Sequence, residues 1–126
     1  KANDEICLIV QAETKEAIDN LEEIVAIDGV HGVFIGPSDL SASMGYVGNP
    51  GHPEVVAAVE NGIETIVKAG KAAGVLAVDK ALAEGYAAKG ASFVGVGVDA
   101  SLLATSVRNL ANQFCTEESS ELKAGY

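Results

Sequence analysis

Apolar residues follow two rhythms along this chain. Ile6-Cys7-Leu8-Ile9-Val10 is a continuous apolar run, the pattern of a strand buried on both faces. From about Thr14 to Ala26 the rhythm changes. Ala17, Ile18, Leu21, Ile24 and Val25 recur at helical spacing, which predicts an amphipathic helix. Gly29 then breaks the chain, and Gly32-Val33-Phe34-Ile35 reads as a second strand. Leu40 to His52 holds three glycines and Asn49-Pro50, which is loop chemistry. Pro53 suits the first position of the next helix, and Val55, Val59, Ile63, Ile66 and Val67 form its buried stripe. Gly70 and Gly74 end it before a third strand, Val75-Leu76-Ala77-Val78. A helix over about Lys80–Lys89, a fourth strand over Phe93–Val98 and a last helix over about Ser101–Phe114 complete the series.

Strand–helix alternation repeated four times predicts an α/β protein with a parallel sheet. Two architectures share this pattern. One is a small open doubly wound sheet. The other is half of a (β/α)₈ barrel, whose usual length of about 250 residues is roughly twice this one. In both, a ligand sits at the C-terminal ends of the strands.

Those ends carry the candidate chemistry. Val10-Gln11-Ala12-Glu13 and Ile35-Gly36-Pro37-Ser38-Asp39 each run from an apolar strand into one carboxylate and then a helix start. Taken singly, Glu13 is a favourable anion at a helix N-terminus and Asp39 a helix cap. Taken together, two carboxylates at one rim offer hard oxygen donors to a divalent cation and leave positions for water and a bidentate ligand. That suits Mg²⁺ or Mn²⁺ better than a closed zinc site. The backbone N–H groups near Ser38 and Asp39 face the same rim and could receive a substrate carboxylate.

The remaining candidates read as structural. His31 precedes the second strand and belongs to the opposite rim. His52 stands beside a helix start, as a cap or packing group. Lys80 could form a Schiff base with an oxo acid, but its place in a first helical turn favours a solvated lysine. Gly95-Val96-Gly97-Val98-Asp99 matches no phosphate-loop pattern, and close packing explains its glycines. Asp99 reads as a cap.

Composition narrows the classes. A chain of 126 residues with 48% apolar content can build one domain with a core. A formal charge of −10 argues against nucleic acid and anionic membrane surfaces as partners. No apolar run is long enough to span a bilayer, and no basic-then-apolar leader is present. Cys7 and Cys115 lack CxxC spacing and read as two reduced thiols in a cytoplasmic protein. Glu117 to Tyr126 is polar, so the chain divides into residues 1–114 and a polar tail, 115–126. Lys1 rather than Met opens the chain, as expected of a processed product or a fragment.

Several motifs taken together resemble the HpcH/HpaI aldolases, which are metal-dependent class II pyruvate aldolases. They are Leu8-Ile9-Val10-Gln11-Ala12-Glu13-Thr14, the run Gly29 to Leu40, Gly45 with Gly48-Asn49-Pro50 and His52-Pro53-Glu54, and Phe93 to Asp99. The resemblance reaches to about Phe114. It implies a (β/α)₈ TIM barrel of which this chain supplies the last four βα units. It implies Glu13 and Asp39 as ligands of a divalent metal, Mg²⁺ or Mn²⁺. It implies Gln11 as a contact of bound pyruvate, the Ser38–Asp39 backbone as the seat of the pyruvate carboxylate, and Leu76 as an apolar wall. It also implies a homohexamer in which the terminal helix, Ser101–Phe114, docks on a neighbour.

The same resemblance shows what is missing. The family's catalytic histidine and its enolate-stabilising arginine lie in the N-terminal half, and Arg108 is the single arginine here. The expectation is therefore cleavage of a 4-hydroxy-2-oxo acid to pyruvate and an aldehyde by the complete barrel, with no catalytic base in this segment and little activity in isolation. The segment's edges would border the N-terminal half of the barrel or a second copy. Two other readings stand beside it. One is a related citryl- or malyl-CoA lyase, disfavoured by the lack of conspicuous basic residues for a CoA tail. The other is a non-catalytic half-barrel that associates with itself.

Overall fold

A computed structural model describes residues 1–115, and the tail expected over 115–126 lies outside them but for Cys115, which is exposed. The chain divides into two compact units, Lys1–Val96 and Gly97–Tyr126. The first unit opens on a single helical turn, α1 (Ala2–Glu5). It continues as β1 (Ile9–Ala12), α2 (Lys15–Asp19), α3 (Leu21–Ala26), β2 (Gly32–Ile35), α4 (Pro37–Ser43), α5 (Pro53–Lys68), β3 (Ala72–Leu76), α6 (Lys80–Ala88) and β4 (Phe93–Gly95). In the second unit, α7 spans Asp99–Phe114.

The four strands form one parallel sheet in the order β1-β2-β3-β4. This order decides between the two architectures. A doubly wound sheet reverses its strand order at a switch point, which puts helices on both faces. Here no reversal occurs. Right-handed crossovers between neighbours in sequence then place every crossover helix on one side, as in a barrel wall.

Register sorts the strand residues into two faces. Val10, Val33, Ala73 and the pair Ala12–Ile35, continued by Val75 and Val94, lie on the side facing the helices. They join Val55, Val59, Ile63 and Ile66 of α5 in one buried cluster. The other face carries Ile9, Gln11, Phe34, Leu76 and Phe93. The rings of Phe34 and Phe93 meet there at 5.5 Å, yet Ile9 is 44% and Phe93 56% exposed. A parallel sheet ordinarily covers both faces, so this side has the character of a barrel interior.

Several expected boundaries move. The first strand begins at Ile9 rather than Ile6, because pairing with Gly32 starts there. Ile6, Cys7 and Leu8 are exposed instead. The expected helix over Thr14–Ala26 is two helices, broken at Asn20, whose N–H serves the carbonyls of Glu16 and Ile18 as the cap of α2. The loop expected from Leu40 begins later, because Pro37 opens α4. The third strand ends at Leu76 and the fourth at Gly95, leaving Val78 and Val96 exposed.

His31 lies at the N-terminal rim, as its position implied. Its ring Nδ1 accepts the Leu8 N–H at 3.0 Å, and the His31 backbone N–H donates to the Leu8 carbonyl at 2.9 Å. Imidazole and backbone together stitch the entry of β1 to β2.

Two substitutions test this packing. A Cβ on Gly32 would lie 2.7 Å from the Ala72 carbonyl oxygen, a backbone atom. Gly32→Ala should therefore destabilise the protein by about 1–3 kcal/mol, measured by urea unfolding. The Tyr86 hydroxyl is buried without a hydrogen-bond partner among the described residues, and burial raises its pKa. Tyr86→Phe removes that group and should leave stability unchanged or raise it by up to about 1 kcal/mol. A clear loss would reveal a partner for the hydroxyl.

Candidate active site

Strand alternation and register build the site together. Gln11 and Glu13 are two residues apart, so both project from the face opposite the helices. The Ala12–Ile35 pairing and a hydrogen bond from the Gly36 N–H to the Ala12 carbonyl set Glu13 beside Gly36. Asp39 then enters in the first turn of α4.

The two carboxylates converge above Gly36. A Cβ built there would stand 3.2 Å from Glu13 Oε2 and 3.9 Å from Asp39 Oδ2. The two oxygens are therefore no more than about 7 Å apart. The same Cβ would lie 3.3 Å from the Glu13 Cβ, so glycine leaves the space that the Glu13 side chain fills. Gln11 Nε2 donates to Glu13 Oε2 at 3.3 Å. Asp39 is exposed and Glu13 half-buried, so water has access to both.

The first turn of α4 offers donors at the same rim. Its first intrahelical bond runs from the Leu40 N–H to the Gly36 carbonyl, which leaves the Ser38 and Asp39 N–H groups without an intrahelical acceptor. Ser38 uses its carbonyl to accept the Ser41 hydroxyl at 2.7 Å. Leu76 closes β3 on the open face, with its Cδ1 3.1 Å from where a Gly95 Cβ would be. The glycine at 95 thus serves packing rather than phosphate binding. Gln11, Glu13, Ser38, Asp39 and Leu76 all stand at the C-terminal ends of β1 to β3.

The chain from 1 to 106 matches the HpcH/HpaI aldolase/citrate lyase family model. The chain belongs to this family. Among its relatives, the hydroxypyruvate/pyruvate aldolase of Cupriavidus necator is 58% identical over 113 residues, which is 90% of this chain and 42% of that protein. The 4-hydroxy-2-oxo-heptane-1,7-dioate aldolase of Salmonella paratyphi B is 55% identical over 118 residues, 94% of this chain and 45% of that protein. A family member from Burkholderia cenocepacia J2315 superposes with a TM-score of 0.81 at 35% identity, covering 90% of this chain and 44% of the other. The chain therefore spans less than half the length of the curated relatives it matches. It is an α/β parallel sheet that supplies part of the family's TIM barrel.

Other polar residues fall outside this constellation. Lys80 is exposed and pairs with Glu84 at 3.6 Å, the surface role its helical position suggested. His52 is the N-cap of α5, accepting the Glu54 N–H through Nδ1 at 3.3 Å. Its ring also stacks on Tyr46 at 3.7 Å, and a hydrogen bond with the Glu54 carboxylate raises the Tyr46 pKa. A cleft of about 850 Å³ between α3 and α5, bordered by Glu22, Glu64, Lys68 and Lys71, opens near the start of β3, away from the carboxylates. Sequence reasoning missed Ser43, which sits at the end of α4 and receives the Lys15 N–H at 3.0 Å.

The capping role of His52 predicts a graded response. His52→Ala should cost about 1 kcal/mol of stability, whereas His52→Asn, which keeps a side-chain acceptor, should lose less. Thermal unfolding of the two variants compares them directly.

Proposed function

We propose that this chain contributes the metal seat and substrate carboxylate site of a divalent-metal-dependent class II aldolase. The complete barrel cleaves a 4-hydroxy-2-oxo acid to pyruvate and an aldehyde. The convergence of Glu13 and Asp39 above Gly36 carries this reading. The names of the two aldolase relatives support it.

The donor set fits a small hard cation. Two carboxylates that face one glycine and are open to water match the oxygen-rich, partly hydrated coordination of Mg²⁺ or Mn²⁺. When bound, the ion supplies Lewis acidity for the 2-oxo group. Glu13 and Asp39 hold it. Gln11, bonded to Glu13 Oε2, orients that carboxylate and presents its amide toward the substrate. The free N–H groups of Ser38 and Asp39 receive the substrate carboxylate, and Leu76 walls the pocket with apolar surface. Cleavage of the C3–C4 bond requires removal of the 4-hydroxyl proton. By family resemblance the base for that step, and the arginine that stabilises the enolate, come from the N-terminal half.

The open sheet face and the edge strands β1 and β4 are closed in this reading by that N-terminal half, with a second copy as the alternative. Leu103, Val107, Leu110 and Phe114 recur along α7 at steps of three and four, as a helix that docks on a neighbouring subunit would require. The assembly is then a cytoplasmic homo-oligomer, a hexamer by family resemblance. The isolated segment is inactive.

In the complete barrel, EDTA should abolish cleavage and Mg²⁺ or Mn²⁺ should restore it. Asp39→Asn should weaken Mn²⁺ binding at least about tenfold and lower cleavage in parallel. Full cleavage by metal-stripped Asp39→Asn protein would defeat the proposal. So would a borohydride-trapped pyruvate adduct at Lys80 together with indifference to EDTA.

A further inference from the structure

The two carboxylate-bearing turns belong to different βα units, 26 residues apart in sequence. Exposed turns of this kind drift relative to each other unless something ties them. The strand register ends at the Ala12–Ile35 pair and the Gly36 N–H bond to Ala12. Beyond it, one hydrogen bond joins the two turns among the described residues. The Lys15 N–H donates to Ser43 Oγ at 3.0 Å across 28 residues.

Both ends of this bond are mechanically connected to the seat. Lys15 is the first residue of α2 and follows Glu13 by two positions. Its N–H belongs to the first helical turn and lacks an intrahelical acceptor. Thr14, the N-cap, spends its own hydroxyl on Ala17. Ser43 closes α4, the helix whose first turn holds Asp39. Residues 39 and 43 are four apart in one helix, so displacing Ser43 displaces Asp39 as a rigid body.

Gly36 supplies room between the two turns. A Cβ there would stand only 3.2 Å from Glu13 Oε2. The missing side chain at Gly36 thus leaves the Glu13 carboxylate the room it occupies beside Asp39, and the Lys15–Ser43 bond ties the two turns together.

We infer that Ser43 is a positioning residue: its hydroxyl latches the Glu13 turn to the Asp39 helix and sets the carboxylate spacing for a small divalent cation. This rests on the metal seat proposed above. Mg²⁺ demands ligands at about 2.0–2.1 Å in near-ideal geometry, while Ca²⁺ accepts about 2.3–2.6 Å and looser arrangements. A latched seat therefore favours the smaller ions, and an unlatched one loses that preference. If Ser43 merely capped α2, its removal would cost stability and leave ion preference untouched.

The test uses the complete barrel with Ser43→Ala, Ser43→Thr and Asp39→Asn, with Mn²⁺ and Ca²⁺ binding measured by calorimetry and free Mn²⁺ followed by EPR. Ser43 is exposed, so the alanine variant removes no buried packing. Ser43→Ala should weaken Mn²⁺ binding about tenfold, the usual loss when a ligand's outer support is removed. Ca²⁺ binding should fall less, narrowing the Mn²⁺/Ca²⁺ discrimination, and Ser43→Thr should retain wild-type behaviour. Wild-type Mn²⁺ affinity and discrimination in Ser43→Ala, with binding lost in Asp39→Asn, would overturn the latch and leave the seat standing. Equal Mn²⁺ binding by wild type and Asp39→Asn would overturn the seat, and the latch with it.

Discussion

The parallel register between β1 and β2 is the constraint on which the site depends. Ala12 opposite Ile35 buries both on the helix side, and pleating then sends Gln11 and Glu13 to the other face. A slip of one residue would turn Glu13 into the helical core and expose Ala12. Burying a carboxylate in the apolar cluster that holds Ala12 and Ile35 costs several kcal/mol or more, since even a neutral polar group costs ~2–7 kcal/mol. Core packing and carboxylate placement are thus one choice, enforced by hydrophobic burial.

The second determinant is the absence of strand reversal. With all four strands in sequence order, the βα turns after each strand gather on one rim. Each turn contributes something different. β1 leads into a carboxylate, β2 into a glycine and a helix start, and β3 ends in an apolar side chain. Chemistry assembled this way needs no unusual backbone: among the described residues every positive φ belongs to a glycine.

Much of this was legible in the sequence. The alternation of apolar runs and helical stripes predicts all four strands, and the bounds of β2 coincide with those observed. The strand-end positions of Gln11, Glu13 and Asp39 follow from the same pattern, whereas Leu76, expected near the start of the third strand, ends β3 instead. Boundaries were less legible where apolarity and pairing diverge. Ile6 to Val10 is uniformly apolar, yet only pairing decides where a strand begins, and Ile6 and Leu8 are exposed. Helical periodicity runs through Asn20 without interruption, although its backbone (φ −97, ψ 11) ends one helix and starts another. Pro37 signalled α4, but the glycines downstream obscured it. The Lys15–Ser43 bond left no local trace, because a contact between residues far apart in sequence depends on the completed sheet.

The order of the strands also bears on how the sheet comes into being. Each strand pairs with the one immediately before it, so no pairing must wait for a strand made later. The longest interval, from Gly32 to Ala72, contains α4 and α5, which shorten the loop to be closed, and closure entropy grows only slowly with length. Growth from a ribosome, N-terminus first, therefore adds strands to an edge already prepared for them. The Glu13–Asp39 rim draws on β1, β2 and α4, and α5, whose apolar stripe buries Ala12 and Ile35, follows them directly in the chain, ahead of β3 and β4.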